Sequence, residues 1–389
     1  MDRSLLMIPG PIEFEPEVLR ALSRKSESHV APTFIETFGR TLRNLREVFR
    51  APSGQPFVIA GSGTAAMEMA AANLVEPGDA ALVVNSGYFG DRYAVMLARY
   101  GAEVTQLRAE VGAAPSLDEV ESALDAGGYK LLVATHVDTS TGVRTDAEAL
   151  ARLARKRGVL SIFDGVCATA GERFEQEAWG ADVYLTASQK AIGVPPGLAI
   201  LMASERAIEA WRARQQAVGS LYFDWAEWLP IMEAYETGSA AYFATPPVNL
   251  IYALDVSVRN LLAEGMPAVW ARHEHLAEAC RAAWQALGLR SVAVDGVRAN
   301  TLSALYYPDG IDASVLSAIA KAGVIVAGGL HPEIRSRYFR VGHMGAVSAN
   351  DILATIGAVE RGLAVVGARG VLGTGTAAAQ KVLVEGNVQ

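Results

Sequence analysis

The sequence predicts an α/β protein: a large domain with a mostly parallel sheet between helices, followed by a smaller C-terminal α+β domain. Two observations predict it. Between Phe57 and Ala203, short apolar runs rich in β-branched residues alternate with helical patterns. Strands covered on both faces read as continuous rather than alternating hydrophobicity. After about residue 250 the pattern changes to long helices and a second, separate set of short strands. The composition agrees, since 389 residues with 51% hydrophobic, 20% charged, 37 Gly and 16 Pro can bury a large core and turn often.

In order along the chain, Met1–Pro11 reads as an extended arm, and Glu17–Ser23 and Ile35–Phe49 as helices with apolar residues three to four apart. Strands are predicted at Phe57–Ala60, Ala81–Val84, Leu131–Thr135, Val159–Phe163, Asp182–Ala187 and Leu198–Ala203. Sheets of this kind bind ligands at the carboxyl ends of their strands. Trp211–Gly238 is densest in aromatics, and Pro247–Leu287 reads as one long helix, with the domain change near residue 250. The second unit has strands at Leu302–Tyr307, Val324–Ala327 and Tyr338–Val341 and a helix at Asn350–Val365. Gly367–Gln389, rich in Gly, Ala and Thr with weak periodicity, reads as a flexible tail.

Charge and composition narrow the partners. With 34 Lys plus Arg against 42 Asp plus Glu, the net charge is −8. The isoelectric point is near 5.4, and no basic cluster offers a face for phosphates, so nucleic acid is excluded as a partner and small molecules are expected. A mean hydropathy of +0.20 raises the question of a membrane span, but the nearly uncharged stretch Ala191–Ala203 contains Pro195 and Pro196 and is too short. Cys167 and Cys280 are too few and too distant for a disulfide framework or a zinc site, and the N-terminus lacks a secretory apolar run. A reducing, cytoplasmic setting is expected.

Four features carry chemistry. Lys190, in TASQKAIGVPPG after a predicted strand, has only small and apolar neighbours, unlike the other five lysines. A desolvated lysine has a lowered pKa and is a nucleophilic amine; taken singly, it also reads as a lysine snorkelling from a strand end. Asp164, twenty-six residues earlier, closes the strand Val159–Phe163, where a carboxylate pairs with a protonated ring nitrogen or simply caps a turn. The turn AGSGTAAME, between a strand and a helix, places Ser62, Gly63 and Thr64 at a helix start suited to a phosphate. Its Gly61-x-Gly63-x-x-Ala66 spacing also fits a dinucleotide site, and hence a nicotinamide dehydrogenase, but the next strand ends in Asn85 and Ser86 rather than in a ribose-binding acid. Arg340, inside the apolar strand of YFRVGHMG, needs an anionic partner: a substrate carboxylate or a buried structural acid. His273 and His275 lie two apart on a helix and cannot share a metal ion, so no metal is expected, and Cys280 sits in a plain helical pattern.

The segments GSGTAAME, THVDTSTG, FDGVCATAG, SQKAIGVPPG and YFRVGHMG stand in the order and spacing of the class V, fold type I aminotransferases. With LMIPGPI, PIMEAYETGSAAYFATPPVNLI and VIVAGGLH added, the chain most resembles the fungal-type alanine:glyoxylate aminotransferases over roughly residues 5 to 362. The resemblance implies a seven-stranded sheet, an arm over residues 1–20 that joins a small domain of residues 251–365, and a large domain over residues 21–250. It implies pyridoxal 5′-phosphate as cofactor, bonded to Lys190 as a Schiff base, with Asp164 on the pyridine nitrogen. Phe89 would stack on the ring and Thr139 would lie near the ring oxygen, while Ser62, Gly63, Thr64 and Gln189 would cradle the phosphate. Thr64 stands where animal-type relatives carry histidine. Tyr242 and Thr245 would reach the phosphate of a neighbouring subunit in a homodimer with shared sites; Arg340 would bind the substrate carboxylate, and Gly10 would border it. The implied reaction moves the amino group of L-alanine to glyoxylate, or that of serine to glyoxylate or pyruvate.

Overall fold

The structure, a computed structural model, describes residues 4–385. The ends of the arm and of the tail, residues 1–3 and 386–389, lie outside the described residues. The arm carries β1 (Leu5–Leu6), and two helices follow, Pro16–Leu22 and Pro32–Phe49, each begun by a proline whose missing N–H costs nothing at that position. The strand and helix alternation then begins. It runs through β2 (Gln55–Ala60), β3 (Ala80–Asn85), β4 (Glu103–Arg108), β5 (Leu131–Thr135), the short pair β6 (Val137–Asp138) and β7 (Val143–Arg144), β8 (Leu160–Asp164), β9 (Val183–Ala187) and β10 (Leu198–Ala203).

Seven of these strands form one sheet in the order β2-β10-β9-β8-β5-β3-β4, parallel except for β10, which runs antiparallel to both its neighbours. Each residue of β5, β8, β9 and β10 is buried, the result of helices on both faces and the reason these runs are legible as unbroken apolar segments. β4 has no such signature: EVTQLR is an edge strand, largely exposed, paired only to β3.

The long helix expected over Pro247–Leu287 is two helices, Val248–Glu264 and Met266–Ala286, because Gly265 adopts φ +87° between them and Pro267 opens the second. The first helix packs on Pro32–Phe49, and Met266 and Val269 still belong to the large core. Leu276, Cys280, Ala283 and Trp284 belong to a second core, so the change of core falls inside the second helix, later than the expected residue 250. That second unit holds β11 (Leu302–Tyr306), β12 (Val324–Ile325), β13 (Ala327–Gly328) and β14 (Tyr338–Gly342), with β14 between β11 and β13 in an antiparallel sheet. β1 pairs with β12, and the Gly342 N–H donates to the Met7 carbonyl.

The region read as a flexible tail contains the helix Thr374–Glu385, which lies against Met266–Ala286 and Ala349–Val365. Gly375, Ala379 and Leu383, each four apart, form its buried stripe, and small residues give little hydrophobic signal in sequence. The buried carboxylate of Glu360 fixes its start, accepting from the Gly373 and Thr376 N–H groups, each at 2.8 Å. Replacing Glu360 with Ala leaves two helix-start donors unsatisfied, and is expected to cost about 1–3 kcal/mol in urea unfolding. Unchanged stability would mean that the helix is held by its apolar stripe alone.

Candidate active site

The carboxyl ends of β5, β8 and β9 and the turn after β2 surround a cavity of about 230 Å³. Its wall contains Gly10, Ser62, Gly63, Thr64, Phe89, Thr139, Asp164, Gln189 and Lys190, together with Met67, Arg92, Val137, Val166 and Cys167. A larger cleft of about 670 Å³ runs along Pro16–Leu22 and Val248–Glu264, but neither Lys190 nor Asp164 lines it. Chemistry rather than size marks the smaller cavity.

Lys190 follows β9 and is 8% exposed. Burial lowers its pKa, reinforced by the positive charge of Arg340, while Cys167 and Asp164 act in the opposite sense. Its ammonium donates to the Pro9 carbonyl of the arm. Gly10 beside it has φ +91°, and a Cβ there would lie 2.5 Å from the Lys190 Cδ, so only glycine lets the arm pass this close.

Asp164 ends β8 and is 2% exposed. Burial pushes its carboxyl up to about 7, opposed first by the Val166 N–H, which donates to Oδ1 at 2.9 Å. No cation of the described residues lies within 4 Å of it, so its second oxygen is free to take a cationic donor from the cavity.

Ser62 is the N-cap of the helix Gly63–Leu74, accepting from the Ala65 N–H at 3.4 Å, which leaves the first N–H groups of the helix for an anion. The Gln189 Oε1 is buried without a partner. Phe89 opens the helix Tyr88–Arg99, and its N–H donates at 2.9 Å to Asp138, a fully buried carboxylate that also accepts from the Ser140 N–H at 2.8 Å. Asp138 therefore sets both the Phe89 ring and the loop that carries Thr139.

Arg340, on β14, adjoins the cavity through Thr139: its Nη1 donates to the Thr139 carbonyl at 3.2 Å and its Nε to the Gly328 carbonyl at 3.0 Å. It forms no ion pair among the described residues, so the structural-acid alternative is set aside and the remaining guanidinium donors are available. Tyr242 and Thr245 are not brought to the cavity; Tyr242 is 64% exposed, with its hydroxyl 3.5 Å from Thr245 Oγ1. His343 is fully buried between the Asn300 carbonyl and Ser303 Oγ, each at 3.0 Å, and burial lowers its pKa to about 3, so it is a neutral core residue. His273 is likewise internal, with Nε2 accepting from the Gly345 N–H at 2.9 Å. Three residues escaped the sequence reading: Asp138, Cys167 and Arg92. The available signals were position alone, three residues beyond Asp164 for Cys167 and one helical turn beyond Phe89 for Arg92.

Residues 17–348 match the family Aminotransferase class-V. The chain belongs to the class V aminotransferases. It is 38% identical over 359 residues to alanine–glyoxylate aminotransferase 1 of Saccharomyces cerevisiae, covering 89% of this chain and 93% of that one. It is 31% identical over 389 residues to a serine–glyoxylate aminotransferase of Arabidopsis thaliana, covering 98% and 95%. The crystal structure of pyridoxamine–pyruvate aminotransferase from Mesorhizobium loti superposes with a TM-score of 0.93 at 28% identity, covering 99% of this chain and 98% of that one. This membership decides the two readings of the glycine turn in favour of an aminotransferase. It also implies pyridoxal 5′-phosphate as cofactor, and the residues fit: a buried amine, a buried carboxyl with an unused oxygen, an unpartnered amide oxygen and a helix start with free N–H groups.

The raised carboxyl of Asp164 has a consequence for stability. Its ordinary value is near 4 and its folded value about 7, so the folded chain binds the extra proton between those limits. Stability from this group is therefore present at low pH and falls as pH rises through that window. Without cofactor, Asp164→Asn is expected to melt above wild type at pH 8, by about 2–4 °C for each kcal/mol gained, with the difference vanishing near pH 4. Thermal scans across that range check it; equal midpoints at pH 8 would contradict it.

Proposed function

We propose that this enzyme transfers the amino group of L-alanine to glyoxylate, giving pyruvate and glycine, as a cytoplasmic homodimer with shared active sites. The carrying observation is the buried Lys190 amine facing the same cavity as the buried Asp164 carboxyl, with Arg340 adjoining as a guanidinium without an acid partner. A single free guanidinium at that end suits substrates with one carboxylate, which it takes through two parallel N–H donors. When bound, pyridoxal 5′-phosphate supplies an aldehyde that takes the amino group and a ring that accepts the electron pair left when the substrate Cα–H bond breaks.

The chain's own residues do the rest. Lys190, its pKa lowered by burial, presents an uncharged amine that bonds the aldehyde and, once displaced, takes the proton from the substrate Cα. Asp164 holds a proton on the pyridine nitrogen, and the ionic contact it gains there offsets the burial that raises its pKa. Phe89 stacks on the ring, an offset contact of about 0.5–1.5 kcal/mol beyond burial. Thr139 lies near the ring oxygen, and Ser62, Gly63, Thr64 and Gln189 hold the phosphate. Gly10 and the arm cover the substrate side and exclude water. Tyr242 and Thr245, outside their own cavity, complete the phosphate site of a second copy; the exposure of Tyr242 supports this reading. The two cysteines, buried and unpaired, support a reducing compartment.

The Arabidopsis relative favours a second reading, in which serine replaces alanine as donor with the same residues in the same roles. The absorbance spectrum of the purified protein separates the two. The expected result is a yellow band that gives way to a near-ultraviolet band on adding L-alanine alone and returns with glyoxylate. A response to L-serine only would change the donor, and a protein that pyridoxal 5′-phosphate cannot colour would sink the proposal. Lys190→Ala should abolish turnover, and near wild-type turnover would refute its assignment. Arg340→Lys should raise KM for L-alanine by about tenfold or more, because a lysine cannot reproduce the bidentate fork; an unchanged KM would remove Arg340 from the substrate site.

A further inference from the structure

The wall of the cavity holds a second cation that neither the reading of the sequence nor the proposed mechanism uses. Arg92 lies on the helix Tyr88–Arg99, one turn beyond Phe89, with its guanidinium 4.9 Å from the Phe89 ring centre and 5.0 Å from that of Tyr88. Its Nη1 donates to Thr64 Oγ1 at 3.0 Å and its Nη2 to the Tyr88 hydroxyl at 3.2 Å. Among the described residues it has no ion pair, and the nearby acids are engaged elsewhere: Asp91 with Arg108 and Asn85, Glu68 with the Tyr100 hydroxyl. A half-buried guanidinium with neutral partners only is a site for an anion.

We propose that Arg92 is the cationic anchor of the cofactor phosphate, acting directly by its charge and through Thr64, which it orients. The inference rests on the functional reading above and deepens it at the phosphate end. Because Arg92 donates to Thr64 Oγ1, that oxygen is occupied as an acceptor and the hydroxyl proton is left to point at an anion in the cavity. Ser62 Oγ accepts from the Ala65 N–H, so Thr64 is the side-chain hydroxyl at this helix start whose acceptor side is held by a cation. Lys190 lies against the Pro9 carbonyl and bonds the aldehyde, which leaves Arg92 as the positive charge of the described cavity wall at the Gly63–Thr64 end. The helix start contributes about half a charge, too little for a phosphate dianion. Two ring contacts and two hydrogen bonds hold the guanidinium, so it is pre-organised for its ligand. They also couple the phosphate end to Phe89.

The test compares pyridoxal 5′-phosphate with pyridoxal, which lacks the phosphate, in titrations of the full chain followed by the absorbance of the Lys190-bound form. Arg92→Gln should weaken pyridoxal 5′-phosphate by at least about tenfold and pyridoxal by less than about twofold. Arg92→Lys should recover part of the loss, since it restores the charge without the fork. Thr64→Val, which leaves the fold least disturbed, should show the same selective loss, and the two losses should not add in the double variant. Equal weakening of both compounds, or no loss with either, would show that Arg92 only supports the helix and would overturn the inference while leaving the functional reading intact. A wild-type chain that binds neither compound would overturn both.

Discussion

An amine and a carboxyl, buried in the same cavity and not paired with each other, organise the rest of this protein. Burial lowers the pKa of Lys190 and raises that of Asp164, so each group is held toward its uncharged form until a partner arrives. A closer pair would neutralise both and leave nothing for a ligand; a looser fold would let water in and return both to ordinary values. The separation is maintained by rigid supports, β8 and β9 inside the fully buried part of the sheet and the arm pressed on Lys190 at Gly10.

The two ends of the cavity are built by different parts of the chain. The phosphate end belongs to the large sheet, where Ser62, Gly63 and Thr64 begin a helix directly after β2 and Arg92 approaches from the next helix. The opposite end depends on the second unit, which contributes Arg340 on β14. The arm ties these together: Leu5 and Leu6 pair with Val324 and Ile325, Gly342 donates to Met7, and Pro9 accepts from Lys190. A shift of the second unit relative to the sheet would thus move Arg340 and Gly10 together, linking substrate capture to closure over Lys190. Asp138 has the corresponding role on the other side, fixing Phe89 and Thr139 from one buried carboxylate.

Much of this was legible in the order of residues. Strands β5, β8, β9 and β10 were readable because helices cover both faces, which demands unbroken apolar runs. β4 was not, because an edge strand needs no such run. The helix Thr374–Glu385 was missed because its contacts are made by Gly and Ala, whose burial depends on the approach of neighbouring backbones rather than on their own hydrophobicity. Gly265 broke the expected long helix through its φ, which hydrophobic periodicity does not report.

By itself the sequence determined the α/β class, the sheet strands with a buried signature and the chemistry of Lys190, Asp164, the Ser62–Thr64 turn and Arg340. These are local properties: residue type, neighbours in sequence and position at a strand end. Only the tertiary structure decided which groups share a cavity, which ionisable groups lose their water, and that Arg92, Asp138 and Cys167 belong with the others. Desolvation and proximity arise when segments far apart in the chain, such as Pro9 and Lys190 or Thr64 and Arg92, are packed together. No local pattern records them.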